Sequence, residues 1–466
     1  MKIGKELVKN TAIISVGKIC TQLVSFLLLP LYTKILTPEE YGIVDLVIVY
    51  GQLLLPVATL QLEQAMFRFL IEKRNSKEGQ EKVISNIVLL TFFATLVTII
   101  ILFILFKFLE NKYGNYIIVI LCVNIIFAML LQISRGLGEN KIYAVGSFLV
   151  AAFQVTLNVL FVGVFKFGAE GMLISMILSY SMASVFLIIV LRKNLFIKFT
   201  FPKLDDVKLY LRYSFPLVPN AISWWILSAS DRTIIMKFLG VSYNGIYSTA
   251  SKFPGVYTTL FNIFNLSWTE SVSLHLNKKD SNEEFSIIQT KILSICITAA
   301  LGLIAIMPFV FNILVDKKYG NSYYQIPFLT IGVFFSSMVG LISAYYIADK
   351  NTTIIAKSSM YCAIINVLLN LLLVKFIGLY ASSISTIIAY SSLFVIRYFD
   401  IKKKYGVNLE KKLILISLLM LIVLLSTYFL KNIILSIISL LLYTLFSFYI
   451  NRLLLKDVFN LIKKLI

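Results

Sequence analysis

Apolar stretches succeed one another along this chain, separated by short polar breaks. A helix needs about 20 apolar residues to cross the hydrocarbon core of a bilayer. Fourteen stretches meet that requirement: 11–36, 42–69, 83–108, 115–137, 141–166, 169–193, 211–238, 243–272, 285–314, 323–348, 352–376, 378–398, 410–430 and 433–454, called spans 1 to 14 in order. The breaks carry turn and charge signals such as Thr37-Pro38-Glu39-Glu40, Asn75 to Gln80, Gly114-Asn115 and Asn277 to Glu284. The pattern predicts an all-α polytopic membrane protein of about 14 transmembrane helices.

An internal echo organises these spans. Lys34-Ile35-Leu36 leads into Gly42-Ile43, and Lys237-Phe238-Leu239 leads into Gly245-Ile246, each at the turn of a helical hairpin. Asn158-Val159-Leu160-Phe161-Val162 is echoed by Asn370-Leu371-Leu372-Leu373-Val374. A repeat at this offset holds six helices. An even number brings both units in from the same face, so they are related by an axis along the membrane normal rather than by inversion. The expected divisions are an N-lobe over 1–200, a C-lobe over 201–405 and two further helices over 406–466. The second span of each unit carries a proline, Pro56 in one and Pro254-Gly255 in the other, and a mid-span break is expected at both. Pro216 and Pro219 add a bend at the start of span 7. These five positions are the candidate hinges.

Composition agrees: 59% of residues are hydrophobic and 14% charged, with mean hydropathy +0.88, where soluble domains carry about 25% charge. The net charge of +20 would ordinarily raise nucleic acid as a partner. Sorting the loops with the N-terminus inside places 31 of the 43 Lys and Arg on the cytoplasmic side and 9 outside. The charge therefore follows the positive-inside rule, and both termini are expected in the cytoplasm. The four cysteines fall in apolar stretches and match no metal spacing. With a single histidine, His275, and no phosphate-cradling G-x-x-x-x-G-K-[ST], neither a metal site nor a nucleotide cofactor is expected. The lysines before span 1 resemble a signal peptide, yet Lys18 and Gln22 inside the run point to a retained helix. The outer loops are short, which leaves no room for an extramembrane catalytic domain, and no enzyme activity is expected.

Ionisable groups in mid-bilayer cost about 2.5–3.5 kcal/mol on insertion scales, so they mark cavities or partners. Lys18 lies in span 1, Glu63 in span 2, Asp231 and Arg232 in span 7, and Lys252 and Glu270 in span 8. Neighbours on a helix point about 100° apart, so Asp231 and Arg232 cannot satisfy each other and each needs a group from another helix. Arg68 and Glu72 are expected to pair along one helix face. The clustering of intramembrane charge on the first two spans of each repeat suggests a polar, partly cationic cleft. Gln22, Gln52, Trp224, Trp225 and Trp268 on the same spans suit sugar hydroxyls and ring faces.

Leu31-Tyr32-Thr33-Lys34-Ile35-Leu36-Thr37-Pro38-Glu39-Glu40-Tyr41-Gly42 resembles the opening of Wzx-type polysaccharide flippases. So do Ser214-Phe215-Pro216-Leu217-Val218-Pro219, Ser223-Trp224-Trp225, Ser230-Asp231-Arg232, Gly245-Ile246-Tyr247 and Trp268. These flippases form the polysaccharide transporter branch of the multidrug/oligosaccharidyl-lipid/polysaccharide exporter superfamily. The resemblance implies a MATE-like fold of two six-helix lobes plus two trailing helices, in the bacterial cytoplasmic membrane. It implies translocation of undecaprenyl-diphosphate-linked oligosaccharide from the cytoplasmic to the outer leaflet, with a glycan polymerase as a candidate partner. On this reading Lys18, Lys252 and Arg232 would hold the diphosphate, and Asp231, Glu63 and Glu270 would serve pairing or ion coupling. The driving force is left open between membrane potential, Na+ and H+. The related lipid II flippases place several arginines in the cavity, whereas lysines stand here, and lysine meets phosphate as a point charge. The alternatives are a drug/cation antiporter of the same fold, which would want an acidic cleft, and a glycan polymerase or ligase, which would need a larger outer loop.

Overall fold

The computed structural model describes residues 26–192, 202–275, 281–349, 351–406 and 409–465. Lys18 and Gln22 lie outside the described residues. The regular structure among those described is helical throughout, and residues group into two compact units, Met1–Thr233 and Ile234–Ile466. The first holds α1 (Leu29–Ile35), α2 (Pro38–Thr59), α3 (Leu62–Glu72), α4 (Lys77–Phe108), α5 (Gly114–Gly136), α6 (Asn140–Asn158, prolonged by a π turn over Val159–Val164), α7 (Gly168–Leu191), α8 (Leu204–Ser214) and most of α9 (Leu217–Phe238). The second holds α10 (Val241–His275), α11 (Ser281–Leu314), a 3-10 segment (Lys317–Gln325), α12 (Ile326–Ala348), α13 (Thr352–Ile377), α14 (Tyr380–Tyr405), α15 (Lys411–Leu430) and α16 (Ile433–Leu465).

Eleven helices among the described residues are long and apolar enough to cross a membrane. They correspond to spans 2 to 6 and 9 to 14. Spans 7 and 8 are present as α9 and α10 but fall short of that apolar standard. Their shortfall is the intramembrane charge and amide content noted above. The chain is a multi-pass, all-helical membrane protein in which α9 carries Asp231 and Arg232 and α10 carries Lys252 and Glu270.

Local chemistry sets the helix starts. Thr37 accepts from the Glu40 amide while Glu40 accepts from the Thr37 amide, a capping box with Pro38 in the first turn of α2. Ser76 caps α4 through the Gly79 amide. In the first unit, Leu62, Ala65, Met66 and Leu70 of α3 pack against Ile84 and Ile87 of α4 and Ile125, Met129 and Ile133 of α5. Lipid tails are as apolar as these side chains, so such burial is held by close van der Waals contact rather than by exclusion of water. Gly136 makes the α3–α5 approach feasible, since a Cβ there would lie 2.7 Å from the Leu70 Cβ. At the membrane edge, Tyr210 of α8 is buried against Phe69, and burial, with Asp206 adding to it, pushes its phenol above the ordinary range.

In the second unit α12 packs against both α10 and α14. The trailing helices are tied to this unit by polar contacts. Tyr323 and Tyr428 stack at 4.1 Å and each hydroxyl donates to the other's carbonyl, at 3.4 and 2.7 Å, which fixes α15. Asn451 of α16 accepts from Ser294 at 3.0 Å and donates to Thr298 at 3.3 Å, both on α11.

The sequence echoes fall at equivalent places. Lys34 is the penultimate residue of α1 and Lys237 of α9; Gly42 is the fifth residue of α2 and Gly245 of α10. Asn158 and Asn370 are both fully buried. The expected mid-span breaks are not equivalent, and this corrects the sequence reading. α2 runs through Pro56 and ends at Thr59, where Leu60 and Gln61 take left-handed φ of 51° and 57° before α3 begins. α10 runs unbroken through Pro254 and Gly255. There Thr258 and Thr259 hydroxyls donate to the carbonyls of Pro254 and Gly255, both at 3.0 Å, within a continuous helix. Pro216 sits between α8 and α9, and Pro219 is the third residue of α9.

Candidate functional site

In the first unit the polar residues gather where α2 meets α9. Arg232 donates through Nε to Asp45 at 2.9 Å, and both side chains are largely buried. Asp45 lies seven residues into α2, about 11 Å from its start, and Arg232 lies six residues before the end of α9, about 9 Å. Two antiparallel helices therefore present the pair at matched depth. One to two turns further in, the Trp225 indole donates to the Val49 carbonyl at 2.7 Å and its ring stacks on Tyr50 at 6.2 Å. Tyr50 also hydrogen-bonds Thr233 at 3.2 Å. Asp231 is buried, whereas Trp224 and Gln52 are exposed. Arg232 thus has the partner from another helix that the sequence demanded. That partner, Asp45, was not singled out there because it lies close to the polar turn at 37–40.

Glu63 occupies a different environment in the same unit. It sits in the first turn of α3, directly after the left-handed pair Leu60-Gln61. Its side chain is 96% buried, and Oε2 has no hydrogen-bond partner. Two cations on the elements packed against α3 have other partners: Arg135 of α5 lies over the Phe67 ring, and Lys82 of α4 pairs with Asp206 of α8. Arg68 pairs with Glu72 at 3.0 Å near the rim, as the spacing predicts.

In the second unit Lys252 is the twelfth residue of α10, about 16 Å from its start, and is half-buried. Trp268 is buried, with its indole donating to the Leu341 carbonyl at 3.0 Å and its ring edge-on to Tyr345. Glu270 is exposed. Buried amides and hydroxyls join the 3-10 segment, α13 and α14: Ser383 to Gln325 at 2.9 Å, Asn366 to Thr386 at 3.0 Å, and Ser382 to Asn370 at 3.1 Å. Sequence reading missed these bonds, because single Ser, Thr and Asn residues in apolar helices carry no periodic signal.

It also missed Arg397, which it sorted among the cytoplasmic loop charges. Arg397 is 1% exposed and donates to the hydroxyls of Ser343, Ser358 and Ser359 and to the Ile355 carbonyl, at 2.7 to 3.1 Å. The guanidinium fork fits this set of acceptors from α12 and α13 in a way an ammonium could not.

Several known proteins resemble the chain. A family model described as polysaccharide biosynthesis protein matches residues 7–269. An uncharacterised membrane protein of Methanocaldococcus jannaschii is 25% identical over 304 residues, covering 61% of this chain and 71% of the relative. Among solved structures, the lipid II flippase MurJ in an inward closed conformation aligns with a TM-score of 0.64 and 17% identity, over 96% of this chain and all of that one. A multidrug resistance MATE family transporter in an inward-facing conformation gives 0.64 and 15%, over 82% and 95%. At these identities the structural likeness speaks for the fold. The family model covers more than half of the sequence, and the chain belongs to the polysaccharide biosynthesis protein family, built on the MATE-like fold.

Proposed function

We propose that the protein moves lipid-linked oligosaccharide units from the cytoplasmic to the outer leaflet for surface polysaccharide assembly. The carrier would be the undecaprenyl diphosphate that the resemblance implies, in the bacterial cytoplasmic membrane. The observation that carries this reading is the family membership together with the charged residues within α9 and α10, Arg232 and Lys252 among them. A saccharide diphosphate needs cations and hydrogen-bonding groups at membrane depth, and apolar drugs need neither. Lys252, with Lys18, supplies point charges for the diphosphate. Arg232, which bonds Asp45 within the first unit, is a further candidate cation for the diphosphate. Exposed Trp224 and Gln52 suit the glycan, whereas Trp268 serves packing. Outward movement of two negative charges across an inside-negative potential gains about 2.3 kcal/mol per charge per 100 mV, which biases export without a nucleotide.

Among the carboxyls raised for coupling, Glu63 is best suited to carry a proton. Burying a carboxylate without a cation is costly, and Glu63 is buried beside a helix break. Complementation of a flippase-null strain tests the reading. The intact chain should restore surface glycan without changing drug susceptibility. Glu63→Gln should retain export driven by potential but lose its dependence on a pH gradient. Drug resistance conferred without glycan export would instead favour an antiporter.

A further inference from the structure

The first unit contains an apolar cleft that the transport reading does not use. It lies between α4, α5 and α7, has a volume of about 550 Å³, and includes Thr91, Thr95 and Leu96 of α4, Cys122 and Met129 of α5 and Ile188 of α7 in its wall. Its lining runs from Val88 to Ile99 on α4 and from Cys122 to Ile133 on α5. Eleven rises of 1.5 Å each give about 16 Å, close to half of the roughly 30 Å hydrocarbon core, or one leaflet. Val88 lies a turn and a half beyond Lys82, where the apolar part of α4 begins, so the leaflet is the one on the Lys82 side. Water does not occupy an apolar space of this kind, and the outer surface of α4, with Phe92, Leu96 and Val97 exposed, is a lipid-facing surface.

Charge stands at one end of the cleft. Arg192 follows Ile188 by one helical turn and is exposed, and Lys82 keeps more than half of its side chain exposed while bonded to Asp206. Basic pockets between membrane helices on the cytoplasmic side bind acidic head groups. We infer that this cleft holds one chain of an anionic phospholipid from the cytoplasmic leaflet, with its phosphate at Arg192 and Lys82. The inference stands apart from the transport reading, since it concerns a resident lipid rather than cargo.

Native mass spectrometry of the full chain in mild detergent tests it, with phosphatidylglycerol and phosphatidylcholine added in turn. One phospholipid should be retained, with phosphatidylglycerol preferred by roughly fivefold per basic residue. Arg192→Gln with Lys82→Gln should bring the two lipids to equal retention. Thr95→Phe, which fills the cleft, should reduce retention of both. The charge variants decide the matter if Thr95→Phe does not fold, and a melting curve on each variant confirms folding. Equal retention of the two lipids by the unaltered chain, detergent adducts alone, or a preference unchanged in the charge variants would each overturn the inference.

Discussion

At the scale of single residues, the Asp45–Arg232 pair is where charge, burial and helix geometry meet. Both groups are drawn largely out of water, so their attraction has to offset a desolvation cost of several kcal/mol per ion. Such a pair contributes little net stability, but removing one partner leaves a buried charge and costs about 3–5 kcal/mol. Asp45→Ala should therefore lower the melting temperature sharply, and Arg232→Ala likewise. The double variant Asp45→Asn with Arg232→Gln should melt above either alanine variant, because both members of the pair lose their charge together. Additive losses in the double variant would show that the two residues act independently. The need for a partner was legible in the sequence, since adjacent helical residues diverge by about 100°. The partner's identity was not, because a carboxylate seven residues into a helix reads equally well as a residue of the outer turn. Arg397 was hidden for a similar reason: a cation five residues before Lys402-Lys403-Lys404 looks like one more loop charge until the serines of α12 and α13 close round it.

At the scale of elements, α2 and α10 show how one residue type leads to two outcomes. Proline removes a backbone donor from each helix. In α10 the following threonines lie in a helix that continues unbroken. In α2 the Thr59 hydroxyl donates to the Leu55 carbonyl at 2.9 Å and accepts from the Gln61 amide at 3.2 Å, and the chain turns left-handed. Left-handed φ costs a non-glycine residue about 1 kcal/mol or more. Gln61→Gly should thus hold or raise the melting temperature, and Gln61→Val, β-branched at positive φ, should lower it. The opposite order would mean that the break is not a fixed feature of the fold. Both prolines lie inside helices, Pro56 in α2 and Pro254 in α10. Sequence reading had no means of telling which helix would yield, because that depends on the side chains packed around the bend.

At the scale of the whole molecule, hydropathy, charge alternation and the internal echo make the all-helical, multi-pass architecture readable in the sequence. Equivalent placement of Gly42 with Gly245 and of Lys34 with Lys237 gives the repeat a structural footing. What hydropathy undervalues is α9 and α10, since the charges that make them candidates for transport are the same ones that make them poor spans. The orientation itself is open to a direct check: a cysteine at Ser76 should react with an impermeant thiol reagent only from the cytoplasm, and one at Asn321 only from outside. Reaction of position 76 from outside would reverse the topology. The central claim is that cations at membrane depth carry a lipid-linked saccharide diphosphate between leaflets. Proteoliposomes loaded with a fluorescent polyprenyl-diphosphate oligosaccharide measure this most directly. The unaltered chain should translocate the lipid, Lys252→Ala and Lys18→Ala should abolish movement while remaining folded, and Lys252→Arg should retain part of it. Full translocation in both alanine variants, or none by the unaltered folded chain, would contradict the account.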